Sequence, residues 1–169
     1  MHLHREIFAD AFPDQAGRQR TEPVAAGGEE CCPPGLIGQR LAEFGTQLNE
    51  RLSAVEADPY EGEERFKTQV ELATWAHIEY LRIHPFVDGN GRTARVLLNI
   101  MLKRFDLYPI QVRTEDGYLG LLRTTLAGHP EGFLAMVIRL LDEEAGRLEH
   151  TLETQARRAR QRRPKGKKS

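Results

Sequence analysis

The sequence predicts an all-α domain that contains one short stretch of strand-like residues. Three observations point there. Apolar residues recur at spacings of three and four over two long segments, Ile37 to Val55 and about Glu63 to Ile83. Proline falls where such runs stop, at Asp58-Pro59, His84-Pro85 and Tyr108-Pro109. Residues 17–34 lack the helical period, and turn formers there bracket short strand-like pieces.

The elements follow in order. Leu3, Ile7, Phe8 and Ala11 sit at helical spacing and predict a short amphipathic helix ending near Pro13. His2 and His4 lie on it, at a terminus expected to fray, and the sequence offers no third ligand nearby to make them a metal site. Gly17-Arg18-Gln19-Arg20, Pro23, Gly27-Gly28 and Pro33-Pro34 then mark an irregular surface segment. Pro34 suits a first helical turn, and Ile37, Leu41, Phe44, Leu48, Leu52 and Val55 form the stripe of a long amphipathic helix. In the next helix Val70, Leu72, Ala73, Trp75, Ala76, Ile78, Tyr80 and Leu81 cover most of the circumference, which predicts a central position in the core. His77 lies among them and reads as a packed or hydrogen-bonded core histidine. Val96 to Leu102 wrap another buried helix ending near Phe105, and residues 117–127 form a short one stopped by Gly128. Pro130 opens the last helix, striped by Leu134, Val137, Ile138, Leu141, Leu148 and Leu152 as far as about Glu153.

Composition bounds the class of protein. With 169 residues, 40% hydrophobic and 29% charged, the chain has the makings of one soluble domain with a real core. No run approaches the roughly 18 apolar residues of a membrane span, and the N-terminus lacks a signal-peptide core, so a cytoplasmic protein with no membrane partner is expected. Cys31 and Cys32 are adjacent, a poor arrangement for a structural disulfide and too few for zinc, and read as reduced thiols. The net charge of −1 hides an asymmetry: eight Lys/Arg and no acid follow Glu153, leaving 16 basic and 25 acidic side chains before it. An acidic body, residues 1–153, thus carries a basic tail, residues 154–169, expected to be solvated or disordered.

Between the two most apolar helices lies His84-Pro85-Phe86-Val87-Asp88-Gly89-Asn90-Gly91-Arg92-Thr93-Ala94-Arg95. Each residue type answers a need of chemistry on a phosphate ester. Pro85 pushes His84 out of helical geometry. Gly89 and Gly91 permit a tight anion-facing turn. A helix starting near Arg92 would aim its N–H groups and positive dipole end into that turn. Arg92 and Arg95, three apart, share a helical face and can reach phosphate oxygens. Asp88 offers the hard oxygen that Mg²⁺ prefers, and His84 is a titratable base. No Lys-Ser/Thr follows the glycines, which excludes a Walker loop.

This string resembles the Fic family signature, His-x-Phe-x-Asp/Glu-Gly-Asn-Gly-Arg-x-x-Arg, with each defined position present. The resemblance implies a Fic fold, an all-α helical bundle with one small β-hairpin flap, here at about residues 17–33 and entered through the Gly17–Arg20 segment. It implies transfer of AMP from ATP to a hydroxyl of a target protein that docks on the flap by strand addition. His84 would be the general base and Asp88 the Mg²⁺ ligand. Gly89, Asn90 and Gly91 would form the anion turn, with the Asn90 side chain as a further donor. Arg92 and Arg95 would hold the outer phosphates, and Phe86 would anchor the loop. Tyr118 is a candidate for the adenine pocket. The same site in other hands transfers UMP, or, with the nucleotide reversed as in Doc kinases, phosphorylates; the intact Gly-Asn-Gly-Arg favours AMP transfer. A rival from another class is nucleic-acid binding by the tail, Arg157 to Lys168, although no aromatic residue interleaves it.

Fic proteins resemble one another in control by a helix bearing Ser/Thr-x-x-x-Glu-Gly/Asn, whose glutamate pairs with the motif's second arginine, here Arg95. Thr46 and Glu50 alone have that spacing, and Arg51 follows where Gly or Asn is expected. The expectation is therefore control from outside these residues, by a small antitoxin chain or a further segment.

Overall fold

The computed structural model describes residues 2–26, 28–113 and 117–161. Six helices are found among them: α1 (His2–Phe8), α2 (Ile37–Ala57), α3 (Gly62–Ile83), α4 (Asn90–Arg104), α5 (Leu119–Leu126) and α6 (Glu131–Gln161). A 3₁₀ turn over Pro34–Leu36 leads into α2. Strands β1 (Ala25–Ala26) and β2 (Glu29–Glu30) pair antiparallel, Ala25 with Glu30 and Ala26 with Glu29, as one small hairpin inside the 17–33 segment. The fold is helical with a flap.

Helix α3 is the hub. It packs against α2, α4, α5 and α6, which explains why its apolar residues run around the helix. Val70, Ala73 and Ala76 are fully buried on it, and Leu81 and Ile83 nearly so. Leu98 and Leu102 of α4 and Phe133 and Val137 of α6 close the same core. Trp75 is only half-buried: its ring stacks on Phe44 of α2 at 5.7 Å, under the Arg51 guanidinium.

Three boundaries differ from expectation. Helix α1 stops at Phe8, and the chain then folds through tight turns, with Phe12 N–H on the Phe8 carbonyl and Ala16 N–H on that of Phe12. Helix α4 begins at Asn90, two residues before the expected Arg92, because Gly89 adopts φ 82° and takes the N-cap position. Helix α6 continues past Glu153 to Gln161, where the good helix formers Gln, Ala and Arg extend it without an apolar stripe. The rest of the expected tail, residues 162–169, lies outside the described residues. Among the described residues no helix is long and apolar enough to cross a membrane.

His77 is wholly buried, stacked on Phe133 at 4.9 Å and hydrogen-bonded through Nε2 to the Tyr118 hydroxyl at 3.2 Å. Burial pushes its imidazole down to about 4 from 6.5. The unfolded chain therefore binds the extra proton between pH 6.5 and 4, and the folded chain does not. Stability from this residue is present above pH 6.5 and drains away as pH falls. Urea unfolding at pH 7 and pH 5 is expected to show wild type losing about 2 kcal/mol more than His77→Gln, which keeps a polar partner for Tyr118 but does not titrate.

Candidate active site

His84 terminates α3. Its N–H still reaches the Tyr80 carbonyl at 3.0 Å, but Pro85 cannot continue the helix, and His84 turns into the left-handed region at φ 49°, ψ 59°. That conformation is uncommon for a residue with a side chain and needs support. Arg20 supplies it. Its side chain, 3% exposed, donates from Nε to the His84 carbonyl at 2.7 Å and from its terminal nitrogens to the carbonyls of Glu22, Cys32 and Ile83. These acceptors include the C-terminal end of α3, where the helix dipole favours a cation. The imidazole is oriented too: Nδ1–H donates to the Leu81 carbonyl at 3.2 Å, since a carbonyl can only accept. The lone pair is left on Nε2. Burial is the first cause holding the His84 pKa below its ordinary value, and nearby Arg20 adds to it, so near pH 7 the ring is mostly unprotonated and can accept a proton.

The loop that follows is stapled by its own residues. Phe86 buries its ring at 1% exposure, the anchor expected of it. Asn90, 2% exposed, accepts from the Phe86 N–H at 3.0 Å and donates to the Phe86 carbonyl at 2.7 Å. The Asn90 side chain is thus a staple, which corrects the expectation of a phosphate donor; its backbone N–H at the start of α4 keeps that role open. Asp88 stands outward with its carboxylate 71% exposed, accepting from Gly89 N–H at 2.6 Å and pairing with Arg92 at 2.8 Å. Thr93 N–H to the Gly89 carbonyl at 2.9 Å is the first bond of α4. The N–H groups of Asn90, Gly91 and Arg92 therefore precede the helical ladder and face the turn, as an anion site requires.

The two arginines are poised differently. Arg92, half-exposed, lies over the Phe8 ring at 4.3 Å as well as beside Asp88. Arg95 lies over the ring of Tyr118 at 5.4 Å. Tyr118 is 2% exposed beneath it and bonded to His77, so it supports Arg95 from within the core and cannot face an adenine ring. That corrects its assignment to the base pocket. Thr46 and Glu50 are both exposed on α2, with the Thr46 hydroxyl donating to the Ala42 carbonyl of its own helix.

Two residues of the site escaped sequence reasoning: Arg20, and His4 of the N-terminal helix, whose Nε2 reaches the Asp88 carbonyl at 3.0 Å. The helical spacing of His4 and Phe8, four apart, was the available signal for the second.

Among the described residues no group of three or more His, Cys, Asp or Glu could hold a metal by itself. A single exposed carboxylate does suit Mg²⁺ that arrives on a nucleotide, since this ion takes one or two carboxylates and completes its shell with phosphates and water. Asp88 fits that description.

Residues 1–102 match the Fic/DOC family, and the chain belongs to it. The chain is 32% identical over 141 residues to the protein adenylyltransferase fic-1 of Caenorhabditis briggsae, covering 82% of this chain and 26% of that protein. It is 30% identical to protein adenylyltransferase Fic of Nematostella vectensis, covering 82% and 30%. Among solved structures, Fic-1 (residues 134–508) from C. elegans superposes with a TM-score of 0.74 at 27% identity, covering 91% of this chain and 43% of that one. A Fic domain containing signaling protein from Bacteroides thetaiotaomicron gives 0.62 at 26% identity, covering 83% and 58%. The chain spans about a quarter to a third of the length of the relatives named adenylyltransferase.

Proposed function

We propose that this protein transfers AMP from ATP to a hydroxyl of a target protein. The observation that carries the reading is an imidazole held through Nδ1 by the Leu81 carbonyl, six residues before the N-terminus of α4, whose first three N–H groups precede the helical ladder. In the reaction the target hydroxyl oxygen bonds to the α-phosphorus, the bond from that phosphorus to the pyrophosphate oxygen breaks, and the hydroxyl proton passes to His84 Nε2. A protonated hydroxyl is a weak nucleophile, so this proton transfer is the part of the barrier the chain itself lowers. The N–H groups of Asn90, Gly91 and Arg92 cradle phosphate oxygens while Gly89 permits the turn. Arg92 and Arg95 hold the outer phosphates with charge-assisted bonds. Arg92 leaves its exposed pair with Asp88 at little cost, because such surface pairs contribute about 0–1 kcal/mol. Asp88 would hold Mg²⁺, which supplies neutralisation of the charge on the departing pyrophosphate.

The flap would receive the target backbone by strand addition. Support comes from its anchoring. Arg20 bonds both the Cys32 carbonyl, where the flap exits, and the His84 carbonyl, and Cys32 N–H donates to the Arg82 carbonyl at 3.2 Å. A segment held on the flap is thereby referenced to the base.

Incubation of the protein with Mg²⁺, a cell lysate and ATP labelled at the α-phosphorus should mark a protein band. Label arriving from the γ-position alone would make it a kinase, and label from neither would remove the reading.

A further inference from the structure

We propose that His4 is a positioning residue for Asp88, so that α1 is a working part of the catalytic loop. The inference rests on the reading of Asp88 as the Mg²⁺ ligand. His4 is only 4% exposed. Its two ring nitrogens are both engaged. Gly17 N–H donates to Nδ1 at 3.0 Å, and a backbone N–H can only donate, so Nδ1 carries the lone pair. The ring proton is therefore on Nε2, which donates to the Asp88 carbonyl at 3.0 Å. One imidazole thus ties the start of the flap segment to the backbone of the residue whose side chain faces solvent.

The ring is also gripped on its faces. It stacks on Phe86 at 3.6 Å between centroids, and Phe8, one turn on, lies at 4.6 Å. Behind the loop the fit is tight: a Cβ on Gly89 would lie 2.6 Å from the Phe8 ring and 2.9 Å from His4 Nε2. Residues on both sides of Asp88, Phe86 and Gly89, therefore contact α1. Asp88 has two rotatable side-chain bonds, so the location of its carboxylate follows the location of its backbone. Its carbonyl is held by His4, and its carboxylate is braced from the other side by Gly89 N–H and Arg92. A side chain that aims a metal ligand through a hydrogen bond typically changes metal affinity or activity by about 10- to 100-fold when removed.

Two conservative variants separate the bond to Asp88 from the bond to Gly17. Glutamine at position 4 extends its amide to where Nε2 lies and can still donate to the Asp88 carbonyl. Asparagine reaches only the position of Nδ1 and can accept from Gly17 alone. Binding of α,β-methylene ATP is measured by calorimetry with Mg²⁺ and with EDTA, alongside hydrogen exchange over residues 86–95 and the thermal midpoint. For His4→Asn the Mg²⁺-dependent gain in affinity should fall about 10- to 100-fold, with the EDTA affinity within threefold of wild type. Exchange in the loop should speed up. For His4→Gln both quantities should stay within about threefold of wild type, by the same bond-retention argument. The proposal is overturned if the two variants behave alike, if the loss is equal with and without Mg²⁺, or if His4→Asn is simply unfolded while His4→Gln is not. Failure of the labelling experiment with wild type would reject the transferase reading, while the exchange and binding comparison would still decide the role of His4.

Discussion

His84→Asn is expected to lower AMP transfer by about a hundred- to ten-thousand-fold, the usual worth of a positioned general base. Asparagine is the informative substitute because it tolerates left-handed backbone, so φ 49° at this position is not itself disturbed. Its thermal midpoint should stay near that of wild type, and calorimetric binding of the ATP analogue should be unchanged, since His84 is assigned to the proton and not to the phosphates. The pH dependence of wild type supplies a second check. Burial first, and Arg20 as well, pull the pKa of His84 below 6.5, so it is mostly unprotonated at pH 7. The rate should therefore fall with acid at unit slope, from protonation of Nε2, with a midpoint below 6.5. Transfer by the variant within tenfold of wild type would assign the base elsewhere.

Much of this arrangement was legible in the sequence because it rests on local rules. The all-round apolar cover of α3 announced its central place, Pro85 announced the break at His84, and the glycines announced a tight turn, which Gly89 makes at φ 82°. The misreadings share a physical cause. Asn90 has the same amide whether it faces a phosphate or the backbone of Phe86, and only the closure of the loop brings Phe86 into reach. Tyr118 has the same ring in a nucleotide pocket or beneath Arg95, and its burial against His77 and Phe133 is a property of α3 and α6 together. His4 was discounted for lying near a terminus, where ends fray unless tied down. It is tied down, by contacts 13 and 84 residues away in the chain. Periodicity along one helix carries no record of such partners.

The second large effect belongs to Arg20. Arg20→Met keeps most of the apolar stem and removes the buried guanidinium, which leaves the carbonyls of His84, Ile83, Glu22 and Cys32 without that donor. A buried acceptor left without its donor typically costs about 1–3 kcal/mol, so losing several of these bonds together costs several kcal/mol. The loss here includes the favourable placement of a cation at the C-terminal end of α3. For a domain of this size each kcal/mol is worth roughly 2–4 °C, so the midpoint should fall by about 10 °C or more. Activity should fall further than unfolding accounts for, even when assayed well below the midpoint. The left-handed turn at His84 loses the bond that holds its carbonyl, and the flap loses its link to the base in the same step. Arg20→Lys is the discriminating control. A lysine can carry the charge but has one nitrogen where the guanidinium offers a planar fork, so it cannot span the His84 and Cys32 carbonyls together. It should recover part of the stability and little of the transfer rate. If Arg20→Lys restored both equally, the cation alone would suffice, and the bridging of flap to His84 would have no part in the reaction.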